Sequence, residues 1–408
     1  MAGIWRPSNI LARRLHDRRR DCAGGCPEHR EQQHNCRQQH DSGRRHEQRR
    51  SSEQRVDAVI HQQFVHVAAA RCNVDPIVTL RCIVQEHSFR AMGCQMLAVI
   101  DRDDALAARR LAAVPGWFEA WEQQLSRFRA DSALSRLNAA AGRSVVVPPE
   151  LLQALGVALK AAQLSDGLVQ PALLAALEQA GYDRSFEDVA RQTSVEPAPV
   201  PATDWRSIAL DRRTAAVTLP EGMRIDLGGV AKGWAADQAA RRLAELGPAL
   251  VDAGGDIAVS GPMADGSPWP IAIAHPCAPE ESLGLLLLVQ GAVATSGRDY
   301  RRWIRGGIAQ HHIIDPRTRQ PARTDVLAAT IVAPDGPSAE MAAKVALILG
   351  SQAGIAWLDA RPTLAGLLVL DDGQVLRSRR IDAYLDHTTV QLDASALLDA
   401  PYTEEYVL

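Results

Sequence analysis

The chain has 408 residues, 46% of them hydrophobic and 23% charged, with a formal net charge of −3 at pH 7. That balance is ordinary for a globular protein and argues against a dedicated nucleic-acid binder. No run of about 18 apolar residues is present to span a membrane. The opening MAGIWRPSNILARRL has no continuous apolar signal core, so the expected location is cytoplasmic.

Residues 1–82 are a different kind of sequence from the rest. Stretches such as EHREQQHNCRQQHDSGRRHEQRRSSEQR hold too little apolar surface to offset chain entropy, so disorder is expected there. Cys22, Cys26, Cys36 and His40 do not follow a standard zinc-finger spacing. The reading puts the true start near Val84 or Met92 and treats the upstream part as translated non-coding sequence. A single domain is expected over 83–400. Only Cys94 and Cys277 fall inside it, so no disulfide framework is expected.

Within the domain, residues 89–100 alternate as a strand, and 103–128 carry helical periodicity interrupted at Pro115-Gly116. A short helix is expected over 131–138. A longer one runs from Pro148-Pro149 to Asp166-Gly167, with Pro at its start and Gly past its end. Residues 184–206 read as a Pro-rich surface loop. SIALDRRTAAVTL makes a hairpin around Asp211-Arg212-Arg213. A helix from about Val230 to Leu246 precedes the strand–turn–strand ALVDAGGDIAVSG. WPIAIA, LGLLLLVQG, AVATS, HHIIDP and DVLAATIVAP read as strands. A helix over 338–349 and strands at GLLVL and QVLRS complete the domain. Hairpin-linked strands with intervening helices imply an α+β fold rather than a doubly wound sheet.

Three segments carry chemistry. In Asp226-Leu-Gly228-Gly229-Val-Ala-Lys232-Gly233, two glycines precede a helix, where backbone can approach a ligand and N–H groups can face phosphate. Asp226 can accept hydrogen bonds or hold a ligand amine. Among 45 Lys plus Arg residues only Lys160, Lys232 and Lys344 are lysine, which favours a chosen point charge at Lys232 and Lys344 over generic surface charge. In the second segment, Thr295-Ser296-Gly297 precedes His312-Ile313-Ile314-Asp315-Pro316-Arg317-Thr318, and the histidine can act as a general base. The third, Ser338-Ala-Glu340-Met-Ala-Ala-Lys344, puts Glu340 and Lys344 one helical turn apart. Their plainest reading is an intrahelical ion pair.

With Met92-Gly93-Cys94, Ser132-Ala-Leu-Ser135-Arg-Leu-Asn138, Gly167-Leu-Val-Gln170-Pro171-Ala172 and Asp252-Ala-Gly-Gly-Asp256-Ile257, these segments resemble the ApbE family in identity, order and spacing. The resemblance implies a T-fold-related α+β architecture of mixed and antiparallel sheets with packed helices. It also implies an enzyme that takes FAD, moves FMN onto a Thr or Ser hydroxyl of an acceptor protein, and releases AMP with the help of Mg2+. Flavin contacts are then expected at Met92, Phe128, Leu168, Val169, Gln170, Asp226, Gly228, Lys232, His312 and Ile313. His312, Asp315 and Lys344 are the expected catalytic residues, and the Gly229 carbonyl and Glu340 the expected metal ligands. Lys344 stands at the third ligand position.

The chain departs from the family pattern at Gln170, Ala172, Asp252, Arg319 and Lys344. Lys344 matters most, because a protonated ammonium has no lone pair for a metal. The sequence leaves two options: the ammonium takes the place of the metal charge, or the chain is an FAD-binding relative without transfer. An FAD pyrophosphatase would use the same groups with water as nucleophile. A flavin reductase is disfavoured, since no nicotinamide fingerprint is present. Limited proteolysis is expected to leave a stable core beginning between Asp75 and Arg90. A protected segment upstream of Asp75 would contradict that boundary.

Overall fold

The computed structural model describes residues 84–186, 189, 204–299 and 301–388. The expectations for residues 1–82, the zinc pattern and most of the 184–206 loop lie outside these residues.

The chain opens with β1 (Gln85–Ala91) and β2 (Cys94–Ile100), paired antiparallel from Gln85↔Ile100 to Ala91↔Cys94. The sequence reading made 89–100 one strand. The correction lies in the turn: Met92 (φ 50°) and Gly93 (φ 66°) are both left-handed, the geometry that matches the twist of a two-residue hairpin. Helices α1 (Ala105–Ala112) and α2 (Val114–Leu125) follow, with the break just before Pro115, which occupies the first turn of α2. Next come α3 (Ala133–Ala139), β3 (Ser144–Val146), α4 (Pro149–Leu164) and the unforeseen α5 (Leu174–Gln179). The hairpin β4 (Ala209–Asp211) and β5 (Ala216–Thr218) forms a small sheet with β3. Then come α6 (Ala231–Ala244), β6 (Ala249–Ala253), β7 (Asp256–Val259), β8 (Trp269–His275), β9 (Ala278–Leu288) and β10 (Gly291–Gly297).

After β10 the chain forms two short ladders, β11 (Arg302–Arg305) with β12 (Ile308–His311) and β13 (Ile314–Asp315) with β14 (Gln320–Pro321). HHIIDP is therefore not one continuous strand. It breaks at His312, between β12 and β13. β15 (Val326–Ala333), α7 (Gly336–Leu349), the unforeseen α8 (Ser351–Asp359), β16 (Ala365–Leu370) and β17 (Val375–Arg377) complete the described fold.

The central sheet has eight strands in the order β1-β2-β6-β7-β10-β15-β16-β17, each paired antiparallel with its neighbours. This is the α+β class expected from the hairpin-linked pattern. Alternation along the strands assigns the two faces. Met96, Ala98, Ile100 and Val251 join one core with Phe118, Trp121, Leu134, Leu155 and Trp234 from the helices. Leu97, Val99, Leu250 and Val293 point the other way and pack on Trp269, Ile271, Ile273 and Leu286 of the β8–β9 hairpin. The sheet is thus covered by helices on one side and by a β-ribbon on the other.

Small residues let α7 lie flat on the helical side. Its Ala339, Ala342, Ala343 and Ala346 are all fully buried, against Ala292, Ala294, Ala329 and Ile331 of β10 and β15. Where α7 begins, it meets α6 backbone to backbone. A Cβ added to Gly336 would lie 2.3 Å from the Gly233 carbonyl oxygen, and one on Gly233 would lie 2.6 Å from the Gly336 carbonyl carbon and oxygen. The N–H of Gly336 donates to Asp237 Oδ1 of α6 at 3.1 Å. The Asp237 carboxyl is itself raised to about 6, chiefly by burial. Gly336→Ala must therefore push the helices apart. It is expected to cost about 1–3 kcal/mol of unfolding free energy, the usual scale for overpacking, in urea titrations. A change within about 0.5 kcal/mol, the range of neutral surface substitutions, would show that the crossing is loose.

Candidate active site

Ala231 and Lys232 of α6 and Lys344 and Ile348 of α7 line one side of a cavity of about 270 Å³. The Met92-Gly93 turn, the residues after α2, the Leu168–Gln170 segment, the Asp226–Gly229 turn and His312-Ile313 supply its walls. Twelve residues singled out from the sequence converge on it: Met92, Phe128, Leu168, Val169, Gln170, Asp226, Gly228, Gly229, Lys232, His312, Ile313 and Lys344. They come from segments as much as 252 residues apart (344 − 92), so the fold does the gathering. Asp315 is not among the lining residues. Its carboxylate accepts the Arg317 N–H at 2.9 Å and pairs with the Arg317 guanidinium at 2.8 Å, closing the turn after β13. Glu340 lies beneath the cavity and does not line it.

One end of the cavity is apolar and aromatic. Phe128, at 43% exposure, meets Tyr182 edge-on, with ring centroids 5.7 Å apart. The Arg127 guanidinium stacks over both rings, at 4.1 Å from Phe128 and 4.8 Å from Tyr182. The same group pairs with Asp226 Oδ1 at 3.1 Å and donates to the Tyr182 carbonyl at 2.7 Å. Asp226 also accepts the Gly228 N–H at 3.0 Å, which fixes the turn leading into α6. Met92 holds its left-handed conformation with its N–H on Glu122 Oε2 at 3.1 Å.

The other end is charged. Lys232, in the first turn of α6, ion-pairs with the buried Asp256 of β7, and its Nζ lies 3.7 Å from Glu340 Oε1. Lys344 Nζ donates to the same Glu340 oxygen at 3.0 Å. The second Glu340 oxygen accepts the Gly233 N–H at 3.0 Å, occupying one of the N–H groups at the start of α6. Burial alone would raise the Glu340 carboxyl, but the Lys344 and Lys232 ammoniums hold it below the usual carboxylate range. Burial lowers Lys232, and Glu340 opposes that shift.

Two polar atoms in this cavity are buried without a hydrogen-bond partner among the described residues: His312 Nδ1 and Gln170 Oε1. Such orphaned atoms are rare in folded proteins and call for a ligand or a chemical role. Burial, with Arg301 and Lys344 adding to it, holds His312 well below its ordinary value of 6.5, so the ring is neutral at pH 7. Its neighbour His311 turns away, with Nε2 on the Ala322 carbonyl at 2.9 Å, and is lowered to about 4 by burial.

The sequence reading did not single out Arg127, Tyr182, Arg301 or Asp256 as site residues. Arg301 donates to Cys94 Sγ at 2.9 Å and lines the cavity. Asp256 stood inside a quoted motif, but its role as partner of Lys232 needs the β6–β7 turn to be folded. Arg127 and Tyr182 carried no local signal, because their place beside Asp226 is purely tertiary. Among the described residues, no group of three or more His, Cys, Asp or Glu side chains could gather around a metal ion.

A family model described as the ApbE family matches residues 92–368. An FAD:protein FMN transferase of Treponema pallidum is 35% identical over 317 residues, covering 72% of this chain and 85% of the relative. One of Klebsiella pneumoniae is 28% identical over 304 residues, covering 72% and 92%. The crystal structure of the ApbE protein of Thermotoga maritima superposes with a TM-score of 0.67 at 26% identity, covering 74% of this chain and 100% of that one. The flavin transferase ApbE of Vibrio cholerae shares the fold, with a TM-score of 0.61 at 24% identity. The family model spans most of the described domain, and the Treponema pallidum relative is well over 30% identical across it: the chain belongs to the ApbE family.

Proposed function

We propose that this chain is an FAD:protein FMN transferase, moving FMN from FAD onto a Thr or Ser hydroxyl of an acceptor protein with release of AMP. The observation that carries the reading is one cavity with an aromatic end, a two-lysine end, and an unpartnered neutral imidazole nitrogen in its wall. The names of the relatives support the same activity.

The flavin ring takes the apolar end, beside Met92, Phe128, Leu168, Val169 and Ile313. Gln170 Oε1, unpartnered in the fold, accepts from a ring N–H. The diphosphate lies over the Gly228-Gly229 turn, within reach of Lys232 and Lys344. The acceptor hydroxyl gives its proton to His312 Nδ1 as its oxygen attacks the phosphorus of the FMN half. The new P–O bond forms as the P–O bond to AMP breaks, and AMP leaves with the bridging oxygen. Negative charge gathering on the transferred and departing phosphates faces ammoniums already held in place, which is where preorganised charge is most effective. Asp315 does not touch the substrate in this scheme. It holds the turn that follows His312, so its contribution is positional.

An FAD pyrophosphatase and a silent FAD binder remain the competing readings, and one assay separates them. Purified protein, FAD and an FMN-accepting protein are mixed, and AMP release and covalent flavin are both followed. Transfer gives the two in equal amounts. AMP without protein-bound flavin would favour water as the nucleophile, and tight FAD binding with neither product would favour the silent binder. Replacing His312 with Gln is expected to lower the transfer rate about 10²–10⁴-fold, the range for loss of a general base.

The pH dependence follows from burial. A base works only when unprotonated, and the depressed His312 stays unprotonated as pH falls through 6.5. The acid limb of kcat/KM is therefore expected below pH 6.5, the ordinary histidine value. A limb centred at or above it would show that His312 is not the titrating base.

A further inference from the structure

The magnesium ion that the family resemblance implies meets a donor set that does not suit it. Of the three expected ligand positions, the Gly229 carbonyl offers one neutral oxygen. Glu340 is fully buried, with one oxygen on the Gly233 N–H at 3.0 Å and the other on Lys344 Nζ at 3.0 Å. Lys344 offers three N–H groups and no lone pair. Mg2+ prefers six oxygens in octahedral array, with carboxylates to balance its charge. Here Lys232 and Lys344 flank Glu340 and Asp256 is paired with Lys232, while the carboxylates that line the cavity, Asp226 and Glu122, are taken by Arg127 and by the Met92 N–H and Arg129. Around Lys232 the two ammoniums and the Arg301 guanidinium face the carboxyl groups of Glu340, Asp256 and Asp252, so these three cations and three acidic groups leave no net negative charge to draw in a divalent cation.

The same arrangement suits a phosphate. Lys232 and Lys344 both line the cavity, and each ammonium gives part of its three-donor capacity to a buried carboxylate. Both lysines line the same cavity as the Gly228-Gly229 turn. Glu340 holds both lysines to one oxygen and ties them to the α6 backbone, so their positions are set before any ligand arrives. Serving as a mere i,i+4 surface pair would not require burying Glu340 or placing a second lysine from another helix on the same oxygen.

We infer that Lys232 and Lys344 form a metal-free cradle for the diphosphate of a dinucleotide, with the Lys344 ammonium supplying the positive charge that a divalent ion would otherwise bring. This rests on the flavin-nucleotide reading of the cavity given above. Lys344 acts on the substrate directly, and Glu340 is a positioning residue that acts through the two lysines.

Binding tests the cradle apart from transfer. The full chain is titrated calorimetrically with ADP as the diphosphate probe, once in chelator and once in excess Mg2+. The expected wild-type affinities agree within about threefold, a difference of less than one decade in Kd. Lys344→Thr is expected to weaken ADP at least about tenfold in chelator and to regain part of that in Mg2+, because Glu340 then has an oxygen free for the ion. Wild-type binding that appears only with Mg2+ overturns the inference, as does a Lys344→Thr chain that binds ADP in chelator as well as wild type does. The two wild-type titrations decide the question even if the variant does not fold. A parallel titration with FAD keeps the two readings apart. FAD binding without ADP binding removes the cradle and leaves the flavin site, whereas binding of neither removes both.

Discussion

The carboxylate of Glu340 is the point on which this site depends. It is buried beneath the cavity, between two helices that touch through Gly233 and Gly336. An ionised carboxylate in such a place is stable only if hydrogen bonds and opposite charge replace the lost water. The replacements are the Gly233 N–H, the Lys344 ammonium and, slightly farther, the Lys232 ammonium. The close glycine crossing is what brings the α6 backbone within reach of an α7 side chain. Structure and chemistry are therefore coupled: spreading the helices would take the Gly233 N–H and the Lys232 ammonium away from Glu340 and leave it paired only with Lys344 of its own helix.

Around that centre the site separates two tasks. The aromatic end, built from the segment after α2 and from Tyr182, presents flat apolar surface held in place by Arg127, which bridges Asp226, Phe128 and Tyr182. The charged end sits on α6 and α7, which cross in backbone contact at Gly233 and Gly336. Between them stands His312, on a short break between two small ladders, with a bare nitrogen in a dry setting. In the proposed scheme the ring lies at the exposed aromatic rim and the phosphates over the two lysines, an arrangement that favours precise placement of the reacting phosphorus.

The fold class and most elements were legible because they rest on local patterns: short apolar runs in β10 and β15, the helical run of α7, and Pro and Gly bracketing α4. The β1–β2 hairpin was missed because its turn, Met92-Gly93, places a bulky residue in the left-handed region, where turn rules lead one to expect Asn or Asp. HHIIDP read as one strand because its apolar content conceals the break at His312. Within the site, Gly228, Gly229, Lys232, His312 and Lys344 could be found because each sits in a compact motif. Arg127, Tyr182 and Arg301 could not, since the contacts that place them are distant in sequence: 55 residues from Arg127 to Tyr182, and 207 from Arg301 to Cys94. Asp315 is the reverse case: a residue in a strong motif that does not line the cavity and whose carboxylate pairs within its own turn.

A crystal structure of the chain with FAD, grown in chelator, tests the central claim most directly. The account predicts the flavin ring beside Phe128, Leu168 and Ile313, and diphosphate oxygens within hydrogen-bonding distance of both Lys232 Nζ and Lys344 Nζ. A diphosphate bound away from the two lysines, or FAD that enters the crystal only when a divalent ion is supplied, would contradict it.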